Sequence, residues 1–248
     1  MSPGRLHQLL ADRPRIWGGW ITGPTELGPE EFAAAGYDYV GLDTQHGWID
    51  DADAARMLRR LAQLPIAVAV RMASADPAPI GRVLDAGADA VIVPMVESPE
   101  QAAAAVAAAR YAPEGTRSYG PLRPDLGPDP AALAGRAAVV AMIETARGLD
   151  AVHRVCAVPG LAGVYVGPAD LALSLGHPPA RAWTEPAVLD AVARIRAAAA
   201  AAGCIAGIHA GTGVHGKQMA ELGFRMITLV SEGQALRRGA AEHLREAQ

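Results

Sequence analysis

Leu84-Asp85-Ala86-Gly87-Ala88-Asp89-Ala90-Val91-Ile92-Val93-Pro94 is the stretch that decides the fold. A helical pattern runs into Gly87, a residue type that closes helices by turning left-handed. At Ala90 an apolar run without alternation begins, as in a strand covered on both faces. The same helix–glycine–strand junction recurs in Ala34-Ala35-Gly36-Tyr37-Asp38, Ala201-Ala202-Gly203-Cys204 and Glu221-Leu222-Gly223-Phe224. Extended outward, this reading places strands at 16–22, 37–43, 66–71, 90–95, 138–144, 163–167, 205–209 and 226–230. Helices are expected at 29–35, 52–63, 79–86, 99–111, 186–202 and 216–222. Eight strand–helix units in 248 residues predict an α/β chain forming one (β/α)8 TIM barrel over 1–248. The first few residues and a C-terminal helix are peripheral to it. An open doubly wound sheet competes, and the regular count of units weighs against it.

Composition narrows the class. Half of the residues are hydrophobic, enough for a sizeable core, and the net charge is only −4. No basic cluster suggests nucleic acid, and no amphipathic polybasic segment or long apolar run suggests a membrane. The N-terminus lacks the apolar core of a signal peptide, so the expected location is cytoplasmic. Cys156 and Cys204 form no C-x-x-C pair and read as buried reduced thiols. The chain has a single lysine, Lys217, in a helical stretch away from any strand end. Carbonyl chemistry through a lysine Schiff base is therefore improbable, and a divalent metal with arginine is the remaining route.

In a barrel of this kind the chemistry lies at the C-terminal ends of the strands. Asp43, His46, Arg71, Glu97, Glu144, Asp170 and His209 follow such ends and are expected on one rim. Glu144 and Asp170, on adjacent strands, make a hard oxygen site suited to magnesium or manganese. Arg71, ending an apolar strand, needs an anion: either a strand-end acid or a developing enolate. His46, in a tight loop before Gly47, is the leading general-base candidate. His209 is its rival, and a His209/His215 zinc pair is disfavoured by the spacing. Gly167 allows close backbone approach, and the amides of Ala169 and Asp170 are placed to cradle a carboxylate, while Pro168 has none to offer. The irregular stretch 113–130, with Trp20, Trp48, Tyr119 and Arg123, is expected to shape the pocket; the two tryptophans fit a subunit contact equally well.

Asp-Thr-Gln-His-Gly at 43–47, the 84–96 segment, Gly-Thr-Arg-Ser-Tyr-Gly-Pro at 115–121, Ala-Met-Ile-Glu-Thr at 141–145 and Gly-Pro-Ala-Asp-Leu at 167–171 resemble, in this order and spacing, the HpcH/HpaI aldolase family. These are metal-dependent (class II) pyruvate aldolases of the phosphoenolpyruvate/pyruvate barrel superfamily. The resemblance runs from about residue 16 to residue 230. It implies reversible cleavage of 4-hydroxy-2-oxo acids into pyruvate, or a related 2-oxo acid, and an aldehyde. It implies Glu144 and Asp170 as metal ligands, Arg71 as the enolate-stabilising arginine, His46 as the base and Asp85 as the acid behind it. Gly167 and Ala169 match positions that bind the substrate carboxylate. The cofactor implied is magnesium or manganese, with cobalt a further candidate and no organic cofactor. A homo-oligomer, a hexamer in the family, is also implied. Gln45, Met142 and the 117–121 loop depart from the family pattern and bear on the substrate more than on the reaction class. An oxaloacetate-type decarboxylase using the same metal-enolate site, and a non-catalytic metabolite-binding barrel, are the competing readings.

Overall fold

The computed structural model of the chain describes residues 4–248. Helix α1 (Arg5–Asp12) leads into β1 (Ile16–Ile21), α2 (Leu27–Ala34), β2 (Tyr39–Asp43), α3 (Asp51–Arg60), β3 (Ala67–Arg71) and α4 (Pro77–Asp85). Then come β4 (Ala90–Val93), α5 (Pro99–Ala109), α6 (Pro130–Arg136), β5 (Ala138–Ile143), α7 (Ala146–Cys156), β6 (Gly163–Val166) and α8 (Pro168–Ser174). The chain ends with α9 (Pro186–Ala202), β7 (Ile205–His209), α10 (Gly213–Glu221), β8 (Met226–Ser231) and α11 (Glu232–Ala247). The strands pair in parallel in chain order, and β8 closes onto β1. The expected (β/α)8 barrel is therefore the fold, and every expected strand lies within two residues of an observed one. Among the described residues no helix is long and apolar enough to cross a membrane.

Period two along each strand divides the side chains into two cores. Outward residues such as Val40, Val68, Val91, Val139, Val164 and Ile208 pack against the helices. Inward residues, including Ile16, Trp20, Tyr39, Ile92, Val140, Met142, Tyr165 and Met226, fill the barrel, with Leu6 and Leu10 of α1 joining them from below. The filling is large against small. A Cβ on Gly41 would lie 2.3 Å from the Trp20 ring, and one on Gly18 would lie 2.1 Å from the Tyr39 ring. Thr228 bridges two phenols across the interior: its Oγ1 lies 2.8 Å from Tyr39 Oη and 2.6 Å from Tyr165 Oη. Both phenols are wholly buried and their pKa values are raised by that burial.

Helix starts follow local sequence. Asp50 and Asp53 form a capping box on α3, Ser231 and Gln234 form one on α11, and Thr145 caps α7. The two cysteines, distant in sequence, meet in space: Cys204 Sγ lies 3.9 Å from the Cys156 carbonyl oxygen, and both thiols are free.

Candidate active site

The alternation that fills the barrel also builds its mouth. Two residues beyond inward Gly41, Ala69, Met142, Tyr165 and Gly207 stand Asp43, Arg71, Glu144, Gly167 and His209. Asp43 and Arg71 are also register partners on β2 and β3. Their side chains join in a two-pronged pair, Arg71 Nε to Asp43 Oδ1 at 2.9 Å and Nη2 to Oδ2 at 2.5 Å. Trp20 Nε1 donates to Asp43 at 3.0 Å, and the backbone N–H groups of Gln45 and His46 donate at the same distance. The Arg71 guanidinium also lies over the Trp20 ring, 5.3 Å from its centroid. Burial alone would raise the Asp43 pKa; the Arg71 bonds and charge outweigh it, with help from the His46 N–H, and the net shift is downward. Arg71 is thus both ion-paired, as one reading of the sequence allowed, and available. Its Nη1 makes no hydrogen bond among the described residues, and the residue lines the mouth cavity.

Glu144 follows β5 and is almost wholly buried. Its Oε1 accepts the Met95 N–H at 2.8 Å. Met95 reaches that position in a left-handed conformation, φ 54°, the only such non-glycine among the described residues. A strained backbone beside a buried carboxylate is a pattern of functional sites. Burial raises the Glu144 pKa, the Met95 N–H opposes this, and the charge of Asp170 pushes it further up. Asp170, in the first turn of α8, has no hydrogen bond or ion pair with any described residue. The bare Gly167 makes room between them: a Cβ there would sit 2.5 Å from Glu144 Oε2.

This donor set fits a hard divalent cation. Two neighbouring carboxylates raise one another's energy, one oxygen is already anchored, and the charge of Arg71 offsets the rest only in part, since the net Glu144 shift is upward. Among the described residues no group of three or more His, Cys, Asp or Glu side chains is gathered for a metal. Glu144 and Asp170 are the residues that could hold such a cation, with water or substrate oxygens left to complete its shell. The cavity of about 240 Å³ above them is lined by Trp20, Arg71, Met142, Tyr165, Gly167, Pro168, Ala169, Asp170 and His209.

Other expected residues fall elsewhere. His46 lies exposed in the turn after β2, fixed through its backbone by Asp43, with no side-chain partner among the described residues. Asp85 does not stand behind it. It is the last residue of α4, which runs back from the mouth over nine residues, about 13 Å of helix. There it pairs with Arg117, Nη2 to Oδ1 at 2.6 Å. The 113–130 segment corrects a second expectation. It joins the end of α5 to α6, which leads into β5, so it lies at the barrel's N-terminal end, whereas strand-to-helix connections form the mouth. Arg123 accordingly donates to the Leu58 and Ala86 carbonyls, and Tyr119 Oη donates to Pro128 O. Trp20 lines the cavity, but Trp48 does not and is 87% exposed. Glu97 turns aside to Arg147 at 3.2 Å. Lys217 is exposed on α10, away from the mouth. His209 and His215 are not a pair: one sits edge-on against Trp20, the other stacks on Trp183.

Trp20 and His209 line the cavity, as expected of the pocket and the rim, while the anchoring part of Asp43 was not assigned from the sequence. The signal for it was available, since Asp43 continues the inward alternation of its strand.

Fold and mouth together define a (β/α)8 barrel that gathers two neighbouring carboxylates and an arginine at the end where such barrels do chemistry. The family model for HpcH/HpaI aldolase/citrate lyase matches residues 17–238, and the chain belongs to that family. It is 37% identical over 238 residues to a hydroxypyruvate/pyruvate aldolase of Rhizorhabdus wittichii, covering 95% of this chain and 94% of the relative. It is 37% identical over 207 residues to a 4-hydroxy-2-oxovalerate aldolase of Rhodococcus jostii, covering 81% and 80%. A solved HpcH/HpaI aldolase/citrate lyase family protein from Burkholderia cenocepacia matches with a TM-score of 0.89 at 35% identity, over 98% of both chains. The family expected from the motifs is borne out, and the names of these relatives support an aldolase.

Proposed function

We propose that the chain is a divalent-cation-dependent aldolase that reversibly cleaves 4-hydroxy-2-oxo acids into pyruvate, or a related 2-oxo acid, and an aldehyde. The observation that carries this is the Glu144–Asp170 pair, close enough for each charge to act on the other and only partly offset by Arg71, a guanidinium that Asp43 holds in place. Magnesium or manganese bound there would act as a Lewis acid toward the substrate's 2-oxo group. The first-turn N–H groups of Ala169 and Asp170 lack intrahelical acceptors and face the substrate carboxylate over the bare Gly167. His46 takes the proton of the C4 hydroxyl. The C3–C4 bond then breaks, the aldehyde leaves, the electron pair passes toward the 2-oxo oxygen, and return of a proton to C3 gives pyruvate. Arg71 Nη1 donates to that oxygen as its charge grows, and because Asp43 already fixes the guanidinium, little reorganisation is needed.

Asp85 can serve a His46 only from a neighbouring copy. Trp48, α11 without a single buried residue, and the apolar groove of about 530 Å³ between α2 and α11 support a homo-oligomer.

The test is exchange of pyruvate methyl protons in deuterated solvent, followed by NMR. Exchange should require added magnesium or manganese, stop with chelator, and be lost in Glu144→Ala. Exchange by that variant in the presence of chelator would contradict the proposal.

A further inference from the structure

His209 is a polar group of the cavity wall that the mechanism leaves unused, and unlike the Tyr165 hydroxyl beside it, which is tied to Thr228, it has no hydrogen-bond partner among the described residues. It ends β7, faces inward, and packs edge-on against Trp20 with ring centroids 5.2 Å apart and planes at 89°. Neither ring nitrogen has a hydrogen bond with a described residue. Its neighbours are already committed. Asp43 accepts from Arg71, Trp20 and the N–H groups of Gln45 and His46. Thr228, its register partner on β8, is taken by Tyr39 and Tyr165. Burial, and then the Arg71 cation, push the imidazole pKa down to about 4, so the ring is neutral. A neutral imidazole offers one N–H donor and one lone-pair acceptor, and a hydroxyl group, which can both donate and accept, pairs with whichever of the two faces it. The methyl group of pyruvate offers nothing to either.

Building on the aldolase reading above, we propose that His209 is a specificity-determining residue that hydrogen-bonds a hydroxyl group of the substrate, so that the enzyme favours a hydroxylated substrate over its unsubstituted counterpart. The hydroxyl belongs either to C3 of the 2-oxo acid donor or to the carbon beside the aldehyde. A buried polar group left unpaired discriminates strongly against an analogue that lacks the matching group.

Two substrate pairs distinguish the sources: hydroxypyruvate against pyruvate with a common aldehyde, and glycolaldehyde against acetaldehyde with pyruvate. In His209→Phe, which keeps the ring and removes both nitrogens, the kcat/KM ratio of one pair should fall about tenfold. His209→Asn, with a donor and an acceptor, should recover part of it. Thermal melts confirm that both variants are folded. Ratios within about twofold of wild type in both pairs, or equal losses on all four substrates, would overturn the proposal. Absence of turnover by wild type with any pair would instead refute the aldolase reading. In that case calorimetric binding of hydroxypyruvate and pyruvate to wild type and His209→Phe, with magnesium present, decides the matter: a changed affinity ratio supports the assignment and an unchanged one overturns it.

Discussion

Asp43→Asn is the most informative single substitution in the barrel. The wild-type carboxylate accepts five hydrogen bonds: two from Arg71, one from Trp20 Nε1, and one each from the N–H groups of Gln45 and His46. Asparagine keeps the shape but removes the charge and turns an NH2 group toward a guanidinium. The Arg71 and Asp43 side chains are only 9% and 2% exposed, so the remaining cation has little water to compensate. Breaking a buried pair on one side costs about 3–5 kcal/mol. Arg71 reaches the mouth cavity, which argues for the lower end of that range, about 3 kcal/mol. For a chain of this size each kcal/mol moves Tm by about 2–4 °C, so Asp43→Asn should melt about 6–12 °C below wild type at pH 7. The pH dependence has a definite sign. A carboxylate with a depressed folded pKa adds stability above its unfolded pKa and loses it as pH falls through the folded value. The gap between wild type and variant should therefore be full at pH 7 and close below about pH 4. Circular-dichroism melts across that range are the assay. A Tm within about 2 °C of wild type at pH 7, or a gap that persists in acid, would refute the reasoning.

Glu144 has the opposite sign. Its raised pKa means the folded state favours the protonated form, so the residue costs the metal-free protein stability as pH rises above the carboxylate range. Metal-free Glu144→Gln should melt about 2–4 °C above wild type at pH 7, with the gain gone near pH 4, and a lower Tm at pH 7 would count against this. Gly167→Ala places a methyl 2.5 Å from Glu144 Oε2 and 2.6 Å from Met142 Cε. Calorimetric manganese affinity should fall at least about tenfold, the usual cost of disturbing the groups that orient a ligand. Thr228→Val strands two buried phenols, and urea unfolding should show a loss of about 2–4 kcal/mol, one lost bond for each.

The barrel was legible because its signals are local. Helix-ending glycines at Gly36, Gly87, Gly203 and Gly223 and unbroken apolar runs recur along the chain. The mouth was legible where a polar residue ends an apolar strand, as with Arg71 and Glu144. The 113–130 segment misled, and the part assigned to Asp85 by family resemblance finds no His46 within the chain, for one reason: a residue near a strand serves the mouth only if it follows that strand's C-terminal end. Asp85 precedes β4 and the segment precedes β5, so both belong to the end away from the carboxylates. Strand ends expected to continue to 95, 144 and 167 stop one or two residues sooner, because Met95, Glu144 and Gly167 leave the sheet to form the site. The meeting of Cys156 with Cys204, and the left-handed turn at Met95, are tertiary facts with no local pattern to announce them.

The central claim is that Glu144 and Asp170 hold one divalent cation between them. Anomalous diffraction from crystals soaked in manganese tests it most directly. A single strong peak within bonding distance of a carboxylate oxygen from each residue, about 2.0–2.3 Å, is the predicted result. Manganese bound at some other group of side chains, with the Glu144–Asp170 gap empty, would contradict it.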